Sequence, residues 1–186
     1  MPAERAHPDL PGFKQGRQYF KQMVKRYQFC NKFIKGMDVL DVPVGTGFGA
    51  SFLTGFKELC GLDISDDAIE YCRKHYPLII AICGDMTKLS KIFSRMFDVV
   101  LCLEGYEHIT KEQQISFLQE VKLVLKDPGI FIVTVPIFKA DRKQNQFHLH
   151  EPTEEEFKKT ISDHFETILF EKKKTPDGEV IYYVGK

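Results

Sequence analysis

The chain has 186 residues, 43% of them hydrophobic, with 26 basic and 26 acidic side chains and a formal net charge of zero. That length suits one domain with a core of its own, and the balanced charge supplies no overall field to gather nucleic acid or an anionic membrane surface. Five cysteines without a C-x-x-C pair read as reduced core thiols, and no apolar run reaches the ~18 residues of a membrane span, so the expectation is a soluble, cytoplasmic protein with no membrane partner.

In chain order, the segment with Tyr19, Phe20, Arg26, Tyr27 and Phe29 reads as a helix within an amino-terminal helical cap spanning 1–35. Residues 37–50 follow as M-D-V-L-D-V-P-V-G-T-G-F-G-A, the most informative stretch of the chain. Val39, Leu40 and Val42 form a strand buried on both faces, with Asp41 at its carboxyl end. Gly45, Gly47 and Gly49 carry no Cβ to hold backbone amides away from a ligand, and a helix expected to begin near Phe48 would offer unpaired N–H groups. This layout suits a nucleotide-like cofactor, although a glycine after a strand is also ordinary turn chemistry.

Short apolar runs recur at 58–62, 78–83, 97–103 and 130–135 and read as further strands. Ser65, followed by Asp66 and Asp67, caps a helix that stops before Pro77. Thr110 with Gln113 makes a capping box, leading a helix whose face carries Ile115, Leu118, Val121 and Leu125 and which closes at Asp127-Pro128-Gly129. Thr153 with Glu156 repeats the pattern, and Phe157, Ile161 and Phe165 supply the stripe of a last helix. Two alternating strands, 166–171 and 179–184, have too few residues between them for a helix and must pair antiparallel. Five strands separated by helices and closed by a hairpin describe an α/β fold: a doubly wound, mostly parallel sheet with an antiparallel terminal strand.

Three more stretches carry chemistry: Gly61-Leu62-Asp63-Ile64-Ser65 after the second strand, Cys83-Gly84-Asp85-Met86 after the third, and Leu103-Glu104-Gly105-Tyr106-Glu107-His108 after the fourth. With the glycine loop, these resemble a class I S-adenosylmethionine-dependent methyltransferase over about 27–183. The E-x-x-E-H segment resembles the small-molecule O-methyltransferases of ubiquinone biosynthesis and their relatives.

The resemblance implies a Rossmann-like sheet of seven strands and S-adenosylmethionine as cofactor. It places Asp41, Pro43, Gly45, Thr46 and Gly47 along the methionine part, with Pro43 standing where the family has its first glycine. Asp63 and Ile64 would meet the ribose, Asp85 and Met86 the adenine, and Leu103 and Glu104 would complete the cofactor site. Glu107 and His108 are the catalytic candidates, His108 as a general base for a hydroxyl or amine. The loop 137–152, with Phe138, Lys139, Arg142, Lys143, Phe147, His148 and His150, would cover the acceptor. Plain structural readings remain beside these: Asp63 as an acid next to the Ser65 cap, Asp85 as a turn acid, His108 as a packing residue.

A divalent metal on Glu104, Glu107 and His108, completed by His148 or His150, is also left open. The acceptor is expected to be a small molecule methylated on oxygen or nitrogen. The alternatives are an RNA or protein acceptor, a non-catalytic cofactor-binding subunit, or a nicotinamide-dependent oxidoreductase. The oligomeric state is left open.

Overall fold

The computed structural model describes residues 17–140, 145–176 and 178–186, with side chains from Phe20 onward. The expectations placed on 1–16, on the side chain of Tyr19, on Arg142 and Lys143, and on Asp177 in the terminal hairpin lie outside the described residues. The chain divides into two compact units, one closing at Met86 and the other opening at Thr87. Seven strands follow the sheet order β3-β2-β1-β4-β5-β7-β6. No helix among the described residues is long and apolar enough to cross a membrane.

The first unit holds helix α1 (Arg17–Cys30), strand β1 (Asp38–Asp41), strand β2 (Glu58–Asp63), helix α2 (Asp66–His75) and strand β3 (Ile79–Cys83). All four residues of β1 are buried, as a two-sided strand requires. β1 and β2 pair in parallel with Asp41 opposite Gly61, and β2 and β3 pair in parallel with Asp63 opposite Cys83. The carboxyl ends of these three strands therefore share one edge. Ser65 caps α2 by accepting from the Ala68 amide, with Asp66 and Asp67 in its first turn and Arg73, Lys74 and His75 in its last, each sign matched to the helix dipole.

One expectation fails here. The glycine loop enters no α-helix at Phe48 but only a 3-10 turn, Ala50–Phe52. Glycines at 47, 49 and 55 leave too short a run between them for α-helix to propagate. The turn is held instead by an aromatic cluster, with Phe48 and Phe52 edge to face at 5.4 Å and Phe20 of α1 against both.

The second unit runs α3 (Leu89–Ile92), β4 (Phe97–Leu103), a 3-10 turn (Tyr106–His108), α4 (Lys111–Val124), β5 (Leu125–Pro136), α5 (Glu154–Ser162), β6 (Thr167–Thr175) and β7 (Gly178–Gly185). β4 and β5 are parallel, and β7 is antiparallel to both β5 and β6, so the reversed terminal pair matches expectation. Two details of α4 differ. The helix ends at Val124, and Asp127-Pro128-Gly129 lies inside β5, where a bulge absorbs it between the pairs Phe97↔Leu125 and Val99↔Ile130. Ile115 is 43% exposed, because the buried stripe runs through Gln114, Phe117, Leu118, Val121 and Val124. Gln114 can occupy that stripe since its amide donates to the carbonyls of Tyr106 and His150, at 2.8 and 2.9 Å.

Both capping boxes form. Thr153 accepts from the Glu156 amide at 3.1 Å while Glu156 accepts from the Thr153 amide at 3.0 Å, and the Lys111 ammonium against Glu156 at 2.7 Å, with the Thr153 amide second, holds that carboxyl down at about 2. Thr153→Ala is expected to cost about 1 kcal/mol of stability, read as a lowered midpoint in urea with an unchanged slope.

Candidate functional site

In the first unit the residues after β1 and β2 are tied to each other. Val44 N–H donates to the Leu62 carbonyl at 2.8 Å, and Gly45 N–H donates to Asp63 Oδ2 at 3.0 Å. The other oxygen of Asp63 accepts the Ser65 amide at 2.9 Å, and its carbonyl accepts the Gly84 amide at 2.9 Å. Asp63 thus joins the glycine loop, the start of α2 and the end of β3.

Gly45 and Gly47 have φ of +56° and +79°, left-handed values that favour glycine. A Cβ on Gly45 would meet nothing within 4 Å, so the loop faces open space there, whereas one on Gly47 would strike Cys72 Sγ and lie 3.1 Å from Tyr76. The Val42–Pro43 bond is cis. Thr46 and Met86 are buried, Asp85 is half-buried two residues beyond β3, and Ile64 is 71% exposed.

Asp41 is fully buried, its Oδ2 accepting the Tyr27 hydroxyl at 3.0 Å. Its Oδ1 is buried with no hydrogen-bond partner among the described residues. Desolvation raises this carboxyl to about 8; the Tyr27 hydroxyl pulls it down and the nearby Asp63 pushes it further up. A folded acid titrating above its unfolded value holds its proton while the unfolded chain ionises. Its contribution is therefore intact below about pH 4 and is lost progressively as pH rises to about 8. Thermal melts of the ligand-free protein should show Tm falling across that window, and Asp41→Asn should flatten the fall.

In the second unit Glu104 follows β4 with φ of +53°, a strained conformation for a residue with a Cβ, and its amide donates to the Thr134 carbonyl at 3.0 Å. The loop after β5 is strapped onto the turn that follows. Leu149 and His150 amides donate to the Glu107 carbonyl at 2.9 and 3.2 Å, and the base of the loop closes where Phe138 N–H meets the Pro152 carbonyl at 3.0 Å.

The strap sets His148 against His108, rings perpendicular at 5.0 Å. His108 Nδ1 lies 3.0 Å from the Phe147 carbonyl, which only accepts, so Nδ1 carries hydrogen and Nε2 holds the free lone pair of the neutral ring. His148 Nδ1 lies 2.5 Å from Glu151 Oε1, and its Nε2 stands 4.0 Å from Glu107 Oε1. Glu107, His108 and His148 each offer a ligand atom within 4.8 Å of the others, a set that could hold a divalent cation or pass a proton. An adjoining pocket of about 300 Å³ is lined by Phe138, His148, Leu149, His150, Glu151, Thr153 and Glu156.

Residues 39–129 match the family model of the methyltransferase domain. A probable S-adenosylmethionine-dependent methyltransferase of Mycolicibacterium smegmatis is 28% identical over 148 residues, covering 76% of this chain and 56% of that protein. The chain is similar in sequence to S-adenosylmethionine-dependent methyltransferases. It spans about half the length of the curated relatives it matches.

Solved structures agree on the fold. The PH0226 protein of Pyrococcus horikoshii aligns with TM-score 0.76 at 23% identity, covering 96% of each chain. A Burkholderia thailandensis 1,6-didemethyltoxoflavin-N1-methyltransferase, solved with its acceptor and S-adenosylhomocysteine, aligns with TM-score 0.73 at 15% identity over 94% of this chain and 83% of that one.

Of the residues singled out from sequence, Gly45 and Asp63 are joined by a hydrogen bond, Gly47 follows in the same loop, and Asp41 and Asp85 lie at the same sheet edge. Asp63 is already engaged by two backbone amides, so it anchors the loop. Glu104 is not among the three residues that converge, and His148 rather than His150 joins Glu107 and His108. The Tyr27 bond to Asp41 and the Glu151 bond to His148 were not anticipated. The first spans 14 residues between a helix and a strand and leaves no local signal. The second has only an i,i+3 spacing within a loop.

Proposed function

We propose that this protein binds S-adenosylmethionine across the carboxyl ends of β1, β2 and β3 and methylates an oxygen or nitrogen of a small molecule. The observation carrying the reading is the open loop at Gly45 beside a fully buried carboxyl whose Oδ1 lacks a partner among the described residues. Buried polar atoms are ordinarily satisfied, so an orphan beside an open glycine loop fits a polar ligand group. The cofactor, when bound, supplies an electrophilic methyl on a sulfonium.

The chain's own residues then divide the remaining work. Asp41, Pro43, Thr46 and the amides from Gly45 to Gly47 hold the amino-acid end, and Asp63 accepts from the ribose with Ile64 alongside. Asp85 accepts from the adenine amine, and Met86 gives it apolar cover. His108, its Nδ1 committed to the Phe147 carbonyl, has Nε2 available to take the acceptor's proton, and Glu107 stands against the His148 imidazole beside it. The loop that carries His148 shields the acceptor, and the pocket beside it has the volume for a small ring compound. The Burkholderia relative acts on a small molecule of that kind, which supports the same class here.

The convergence of Glu107, His108 and His148 favours a second reading in which a divalent cation holds the acceptor instead of a free imidazole base. Calorimetric titration with S-adenosylhomocysteine should show one site per chain, and NAD should give no heat. Heat with NAD and none with S-adenosylhomocysteine would reverse the assignment.

A further inference from the structure

Resting on that cofactor reading, we propose that Asp41 is a proton-coupled recognition residue. It is neutral in the free protein and ionised once the ammonium group of the cofactor's amino-acid end is seated beside it, so that each capture expels one proton. The geometry supports this from several sides. Asp41 closes β1 with no solvent exposure, and one of its oxygens has no partner among the described residues. Among the described residues, the titratable groups coupled to it are Tyr27 and Cys30 of α1, Asp63 of β2 and Cys72 of α2, and none of these four is a cation. A carboxylate in that position would hold its charge against an anionic neighbour with the support of a single neutral donor. A carboxyl that keeps its proton avoids both costs, and burial accordingly lifts its titration to about 8.

A ligand ammonium reverses the balance, because an opposite charge at close range favours the ionised form. The step is a simple dissociation: the O–H bond of Asp41 breaks, the electron pair stays on the carboxylate, and the proton passes to the buffer. If only the ionised form binds, the apparent affinity is reduced by the fraction that is ionised. A group titrating near 8 is then about nine-tenths protonated at neutral pH, and each further pH unit of acid weakens binding about tenfold.

The test is calorimetry of the full chain with S-adenosylhomocysteine and with 5′-methylthioadenosine, which lacks the amino-acid end, in two buffers of different ionisation enthalpy. The expected result is close to one proton released per S-adenosylhomocysteine bound and none with methylthioadenosine. The dissociation constant for the former should fall about tenfold per unit from about pH 5.5 to about pH 7. Asp41→Asn keeps an oxygen for Tyr27 and should bind more weakly, with no proton exchange and no slope. Tyr27→Phe removes the one donor that favours the ionised form and should move the midpoint to higher pH.

Binding of S-adenosylhomocysteine without proton exchange overturns the proposal and leaves the cofactor reading standing. Equal release with methylthioadenosine, or a slope that survives in Asp41→Asn, overturns it as well. No heat with either ligand overturns both.

Discussion

Asp63→Ala is expected to weaken S-adenosylhomocysteine binding by at least tenfold and to lower stability by about 3 kcal/mol. The second figure comes from two backbone amides losing a nearly buried, charged acceptor, since hydrogen bonds to charged groups contribute about 1.5–3 kcal/mol each. The first comes from the loss of a charge-assisted partner for the ribose together with release of Gly45, whose amide Asp63 holds at 3.0 Å. Asp63→Asn separates the two effects. Its single carbonyl oxygen can keep one of the two amides, so much of the stability should return while the affinity stays low. Urea denaturation and calorimetry on the two variants read the two quantities independently, and an Asp63→Ala protein that binds as tightly as the parent would remove Asp63 from the cofactor site.

Gly47→Ala is the second large effect. At φ of +79° an L-residue costs about 1–2 kcal/mol in backbone strain alone, and the added methyl runs into Cys72 Sγ and presses on Tyr76 and Ile79 at 3.1 and 3.2 Å. A total loss of about 3 kcal/mol is expected, with cofactor affinity falling because the loop must shift. Cys72→Ala in the same chain opens the space and should recover the packing share of the loss but not the share due to φ. A double-mutant cycle by chemical denaturation measures that split. Full recovery would place the whole effect in the clash and none in the backbone.

What was legible in the sequence is what local chemistry dictates. Thr110 with Gln113 and Thr153 with Glu156 announced two helix starts, Ser65 a third, and the spacing of the last two strands forced their antiparallel pairing. The glycine loop and the acids ending β1 and β2 were readable for the same reason, because strand ends and turns are written in consecutive residues.

Three things were hidden. The bulge that swallows Asp127-Pro128-Gly129 depends on β4 lying alongside β5, and without that neighbour the triplet looks like a plain turn. The rotation of α4 that exposes Ile115 depends on Gln114 finding two carbonyls, one of them at His150 far along the chain. The choice of His148 over His150 as the partner of Glu107 and His108, with Glu104 left out, likewise depends on the Leu149 and His150 amides reaching the Glu107 carbonyl across some 40 residues. Long-range hydrogen bonds of this kind have no periodicity to betray them.

The most direct measurement is a crystal structure of the chain with S-adenosylhomocysteine bound. The ribose hydroxyls are expected on the Asp63 carboxylate, the adenine amine at Asp85, and the amino-acid end against the Gly45 to Gly47 amides with Asp41 Oδ1 newly partnered. A nucleoside lying away from the ends of β1, β2 and β3, with Asp41 Oδ1 still buried and alone, would contradict the assignment of this edge as the cofactor site.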